Sequence, residues 1–377
     1  MLKKLFALLL CLVLALSFVA CDTDPADPTT DSATDSATSS TDTSEDKEGY
    51  VVFDYEMDHK FLANDIKKGS VVLFDLDECE MSWNELPTLD SCVVWEWVAR
   101  DCKTCKYWTN IQSGIDDAKY RYSEYYKKDV IIACSSGGWA GIIDYETKEI
   151  LFEALVPNGP HSIELLPNGD LVVASSGGDN GDTKDTKGYL RYFPLSTGST
   201  TYSDDLKVPS AHGVQWDPVQ EVLWALQYDG VIAVQIRNYG TKDAKLVKLS
   251  DMGATFNGKD ASGHDLSPVY GQPGKYWVTA GRVWIFDSET NTLTENYKYR
   301  SGYNASSVKG IAYFPDGTMV STPSNSKGST YEWSTLEMRL VYLEMSPRVE
   351  QVIVRTKTIK FTDREFYKVH TFCKDYQ

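Results

Sequence analysis

Residues 159–176 read GPHSIELLPNGDLVVASS: an alternating apolar run, a Pro167-Asn168-Gly169 turn and a second apolar run. Period-two alternation broken by Pro, Asn and Gly is the signature of a β-hairpin. The same layout returns in AHGVQWDPVQEVLWAL from Ala211, GHDLSPVYGQPGKYWVTAG from Gly263 and VKGIAYFPDGTMVSTP from Val308. In three of these four stretches the turn proline, Pro167, Pro218 or Pro315, stands six residues after a leading His161, His212 or Lys309. The stretch led by His264 has its turn displaced into Tyr270-Gly271-Gln272-Pro273. Successive leads are 51, 52 and 45 residues apart, the length of a four-stranded propeller blade with its loops.

Two further copies extend the series. One begins near Asp116-Asp117-Ala118-Lys119 and continues through VIIACSSGGWAGIIDYETKEILFEAL; the other begins at YVVFDYE and includes VVLFD and VVWEW. The expectation is therefore one all-β domain over residues 50–377, a β-propeller of six blades, with seven as the alternative count. Insertions are expected in the first and last blades, and the stretch from Glu78 to Asp116 is a candidate lid. The tail EFYKVHTFC reads as the strand that pairs with the first blade and locks the ring. That would bring Cys373 near the cysteine-rich insert, where a disulfide would staple the closure.

Residues 1–20 precede this domain as a leader: Lys3 and Lys4, an apolar run, then small residues. Phe18-Val19-Ala20-Cys21 resembles a bacterial lipobox, which implies a lipid on Cys21. The rest of residues 21–49 is almost wholly Asp, Thr, Ser, Ala, Pro and Glu, too poor in apolar surface to offset its chain entropy, and reads as a disordered tether. The expectation is export, with the folded domain outside the cytoplasm and membrane attachment only through that lipid. The formal charge is −17, which argues against nucleic acid or an anionic membrane surface as partner. Cys79, Cys92, Cys102 and Cys105 crowd together and suit oxidised pairing after export, with connectivity open. Cys102-Lys-Thr-Cys105 lacks the second pair a zinc ribbon needs.

The order of motifs resembles a family of uncharacterised bacterial β-propeller proteins grouped as a domain of unknown function, many of them exported. The likeness rests on Asp117-Ala118-Lys119 with Tyr122-Ser123, on Ser135-Ser136-Gly137-Gly138 and on Pro160-His161-Ser162 with Glu164-Leu165-Leu166-Pro167. It continues in His212-Gly213-Val214 with Trp216-Asp217-Pro218 and in Gly263-His264-Asp265-Leu266. The resemblance implies the propeller fold and brings no assigned activity. The cysteine-bearing insert and the stretch around Glu332-Trp333-Ser334-Thr335 depart from the pattern.

Lead positions of innermost strands gather at one mouth of a propeller channel, so Asp117, His161, His212, His264 and Lys309 are expected to form a ring there, with Lys119 beside them. Turns between second and third strands, carrying Trp139, Tyr228 and Arg282, are expected around it. Three readings stay open. A small molecule or saccharide binds at the mouth through Asp117, Lys119, Trp139, His161, His212, Tyr228, His264, Arg282 and Lys309. Alternatively, His161, His212 and His264 hold a divalent transition metal in a polysaccharide lyase- or hydrolase-like enzyme, an arrangement similar to that of some propeller polysaccharide lyases, with Lys309 or Arg282 neutralising a substrate carboxylate and Trp139 and Tyr228 offering ring faces. Or the histidines are structural and the propeller is a scaffold for a protein partner. Glu164 and Gln215, each three residues after a lead histidine, are candidates for fixing its tautomer. His59 and His370, outside the repeat register, read as surface or packing residues. Trp216-Asp217 lies too close to its histidine to be a WD-repeat signature.

Overall fold

The hairpin around Pro167 forms as its alternation requires. In the computed structural model, which describes residues 57–78, 89–177, 187–256, 262–296, 307–324, 327–345 and 352–377, Ile163 pairs with Val173 and Leu165 with Leu171. The turn closes through Gly169 N–H to Leu166 O at 2.8 Å. Gly169 sits at φ +89°, in the left-handed region, and a Cβ there would meet Tyr125 Cβ at 2.5 Å, so glycine is required both sterically and conformationally.

Among the described residues, twenty-four strands follow this logic. They are β1 (Lys60–Asp65), β2 (Ser70–Asp75) and β3 (Val93–Val98); β4 (Asp117–Ser123), β5 (Lys128–Ser135), β6 (Trp139–Asp144) and β7 (Ile150–Leu155); and β8 (Pro160–Leu165), β9 (Leu171–Ser175), β10 (Tyr189–Phe193) and β11 (Asp204–Lys207). Next come β12 (Gly213–Asp217), β13 (Val222–Gln227), β14 (Gly230–Arg237), β15 (Lys245–Thr255), β16 (Asp265–Pro268), β17 (Lys275–Thr279), β18 (Val283–Asp287) and β19 (Thr292–Glu295). The last are β20 (Val308–Tyr313), β21 (Met319–Pro323), β22 (Glu337–Met345), β23 (Val352–Lys360) and β24 (Phe366–Thr371). They form six four-stranded antiparallel sheets, five built from consecutive strands and one in the order β24-β1-β2-β3. The protein is a six-bladed propeller. Its tail closes the ring as expected, Leu62 facing His370 and Ala63 facing Val369.

The blades stack face to face, so middle strands such as β2, β6 and β13 are buried along their whole length. Six apolar clusters fill the spaces between neighbours; the one joining the last blade to the first holds Phe61, Phe74, Phe314, Met338 and Phe366. No helix among the described residues is long and apolar enough to cross a membrane.

Two expectations about cysteine need correction. Cys92 is disulfide-bonded, but Cys102, Cys105, Cys134 and Cys373 are free thiols. The ring is therefore stapled by strand pairing and not by a disulfide at Cys373. The described part of the insert seats on blades one and two, with Ile111 and Ile115 in their shared core and Asn110 Nδ2 donating to Gly137 O at 3.0 Å. The leader, Cys21, the tether, YVVFDYE and Cys79 lie outside the described residues.

Candidate functional site

The innermost strands β4, β8, β12, β16, β20 and β24 line the channel. Asp117, Gly213 and Asp265 occupy equivalent positions, opposite Cys134, Leu226 and Thr279. The residues before them bond those same partners: Asp116, His212 and His264 each donate a backbone N–H to the corresponding carbonyl. The structural equivalent of the lead histidines is thus Asp116, and Asp117 stands one step inside the channel, a one-residue correction to the sequence register.

At the mouth the rings of His161 and His212 meet at 4.6 Å and those of His212 and His264 at 6.0 Å. Lys309 Nζ lies 2.8 Å from His264 Nε2, Asp116 Oδ1 lies 3.7 Å from His161 Nε2, and the Tyr367 ring lies 6.3 Å from that of His161. Three imidazoles and Lys309 are therefore brought together as expected. Asp116 and Tyr367 complete the set. Beyond Tyr367, Trp333 packs edge-on at 5.1 Å and Tyr331, on the surface, stacks on Trp333 at 4.8 Å.

The tautomers follow from the acceptors. His161 Nδ1 lies 2.9 Å from Gly159 O and His212 Nδ1 lies 2.9 Å from Ser210 O. A carbonyl only accepts, so both Nδ1 atoms carry a proton, and in the neutral ring of His212 that leaves the lone pair on Nε2. The tautomer is fixed by each residue's own backbone and not by Glu164 or Gln215. Burial, together with His161, holds His212 well below the usual imidazole range, and burial together with Lys309 does so for His264. Burial, reinforced by Lys368, brings Lys309 down to about 7. Asp116 is raised by burial, against the pull of His161 and the Ser136 N–H.

Beneath the mouth runs a buried ionic layer. Lys368 donates to His161 O at 2.8 Å and His212 O at 2.7 Å and lies 3.5 Å from Asp265 Oδ1. His370 Nε2 lies 2.6 Å from Asp117 Oδ1. Burial alone would raise Asp117, but His370, Lys119 and Lys368 outweigh it and hold its carboxyl far below the ordinary range. Lys119 is in this interior, donating to Val214 O at 2.6 Å beside Glu164, which also takes both Nε and Nη2 of Arg121. Gln215 donates to Tyr376 O at 3.1 Å. The far end of the channel is covered by the tail: Arg121 donates to Cys373 O, Tyr270 to Asp375 O and Tyr376 to Leu165 O.

Several sequence expectations are displaced. Trp139 is fully buried between blades one and two, stacked on Trp97 at 5.9 Å, because the flat apolar ring fills the interblade space. Arg282 reaches outward to Glu295 on β19 at 2.7 Å, away from the channel. Tyr228 is half-buried on the mouth side, its N–H on Pro209 O. His370, read as packing, is instead in the channel. The residues missed were Asp116, Asp265, Tyr367 and Lys368. Lys368 and His370 stand two apart on a strand already assigned to close the ring, so alternation alone placed both on one face.

A three-imidazole metal set is weakened by this geometry, since His264 Nε2 is engaged by Lys309 and two lysine side chains approach the ring. Among the described residues the group of three donors whose ligand atoms all lie within 4.8 Å of one another is Asp117, Asp265 and His370. Lys368 and Lys119 already stand beside those carboxylates.

None of the curated proteins compared with the chain matches it. Among solved structures it is similar to a chain of a nidogen–laminin complex, at 10% identity and TM-score 0.48, over 84% of this chain and 99% of that one. It is also similar to a chain of the mitotic checkpoint complex, at 11% identity and TM-score 0.43, over 70% of this chain and 68% of that one. Residues 91–335, more than half of the chain, match the family of unknown function DUF6528, and the chain belongs to that family.

Proposed function

We propose that this is an exported ligand-binding propeller that takes a saccharide at its histidine-lined mouth and is anchored to the membrane by a lipid on Cys21. The observation that supports it is the pair of imidazoles, His161 and His212, each with Nδ1–H on its own backbone carbonyl, with Asp116 Oδ1 3.7 Å from His161 Nε2. Half-buried imidazoles of fixed orientation beside a carboxylate suit the hydroxyl groups of a sugar, because a hydrogen bond there discriminates more sharply than in water. Trp333 and Tyr331, stacked on one another beyond the buried Tyr367, offer apolar ring surface for the carbon face of a sugar. The acidic tether and leader motif support the anchoring.

Calorimetric titration of the full-length protein against a panel of neutral and acidic saccharides tests this reading. At least one sugar is expected to bind, with His161→Ala and His212→Ala each weakening it about tenfold or more while the unfolding temperature changes little. Binding that both variants retain in full, or no binding by any sugar in the panel, overturns it and returns the histidines to a structural role.

A further inference from the structure

Two lysines approach the mouth, and their surroundings differ. Lys368 is fully buried, bonded to the carbonyls of His161 and His212 and set beside Asp265. Lys309 is 7% exposed. Among the described residues no carboxylate pairs with it, and its Nζ makes one hydrogen bond, to His264 Nε2 at 2.8 Å. His264 Nδ1 is buried without a partner, so no further acceptor fixes where the proton of this pair resides. A desolvated amine near a second cationic side chain, with only an imidazole to share its proton, is the arrangement that activates lysine as a nucleophile.

We propose that Lys309 is a nucleophilic amine that condenses with the carbonyl carbon of a small aldehyde or 2-oxo acid entering the mouth, with His264 carrying the proton. The neutral Nζ lone pair attacks the carbonyl carbon as its π bond breaks, and the resulting alkoxide takes a proton from solvent. The new ammonium nitrogen gives a proton to His264 Nε2, leaving a carbinolamine. The imidazolium then protonates the hydroxyl, which leaves as water while the nitrogen lone pair forms the C=N bond of an iminium ion. The iminium returns one proton to solvent, so that amine and carbonyl become imine and water; no oxidant or reductant is consumed. Burial and Lys368 bring Lys309 down to about 7, so the attacking free amine is present near neutral pH. This inference stands apart from saccharide binding, since it concerns a covalent step on a different residue.

Reductive trapping tests it. The full-length protein is incubated with glyoxylate and cyanoborohydride across a pH series, then digested and mapped by mass spectrometry. Lys309 is expected to be labelled about tenfold or more faster than exposed lysines such as Lys127 and Lys148, with a midpoint near pH 7 that exposed amines lack. His264→Gln is expected to slow labelling without redirecting it, and Lys309→Arg to abolish it. Because the mapping is made on the unaltered protein, it does not depend on any variant folding. Label spread over surface lysines with Lys309 unmodified overturns the proposal, as does a Lys309 rate that follows the same pH curve as theirs. Failure of the saccharide titration leaves this result standing, and the reverse also holds.

Discussion

Asp217 shows how much one buried carboxylate can organise. Its Oδ1 accepts the N–H groups of Val219 and Gln220 and closes its own turn, while Oδ2 accepts Trp224 Nε1 at 2.9 Å and the Tyr276 hydroxyl of the next blade at 3.0 Å. Asp217→Ala would leave two buried donors and a turn without their acceptor. We expect a loss of about 3 kcal/mol or more, read as a lower midpoint in urea unfolding; a loss under about 1 kcal/mol would show that water replaces the carboxylate. The Trp216-Asp217 dipeptide is therefore not a WD signature, as its spacing indicated, yet its aspartate still joins two blades. Trp216 itself packs on Tyr239 at 5.9 Å.

Between elements, His59 performs a comparable task on the surface. It precedes β1, and its ring bridges Asp77 at 2.7 Å and Asp316 at 3.0 Å, the latter in the β20–β21 turn of the last blade. The Asp316 hydrogen bond, with Asp77 in support and burial opposing, raises His59 to about 9. A histidine whose folded value lies above its unfolded one stabilises fully below about pH 6.5, and the contribution is lost as pH rises through about 9. Lys309 runs the other way. Its folded value of about 7 lies below the ordinary lysine range, so its burial penalty is relieved as pH rises from about 7 towards 10.5. The informative quantity is therefore the difference in melting temperature between wild type and His59→Gln. We expect it to be largest near pH 6 and to vanish above about pH 9; a difference independent of pH would mean that His59 acts only by packing, here edge-on to Phe314 at 5.1 Å.

For the whole molecule, the decisive event is the return of the tail. Strand β24 brings Tyr367 to the mouth, Lys368 across the channel and His370 to Asp117, so the ring is closed and its polar interior completed by the same six residues. Lys368→Met should uncover the Asp265 carboxylate and leave the His161 and His212 carbonyls without their donor. Breaking a buried ion pair from one side costs about 3–5 kcal/mol, and that loss is the expected outcome in chemical unfolding. A stability unchanged within about 1 kcal/mol would mean the closure rests on the apolar pairing of β24 with β1 and the Phe61–Phe366 cluster alone.

The sequence by itself determined the fold class and the closing strand and favoured six blades over seven, because hairpin alternation and Pro-Asn-Gly turns are local and a repeat multiplies one local reading several times. It also brought His161, His212, His264 and Lys309 to one mouth, since equivalent positions in equivalent blades must share a face. The tertiary structure alone decided the rest. Trp139 and Arg282 carry no local mark of direction, and a turn residue can face the neighbouring blade or the outer strand equally well. Asp116 and Asp117 differ by one residue, which strand pairing resolves and composition does not. Lys368 and His370 enter the channel from the far end of the chain, where no repeat marks them, and their charges acquire meaning only once burial has removed the water that would otherwise screen them.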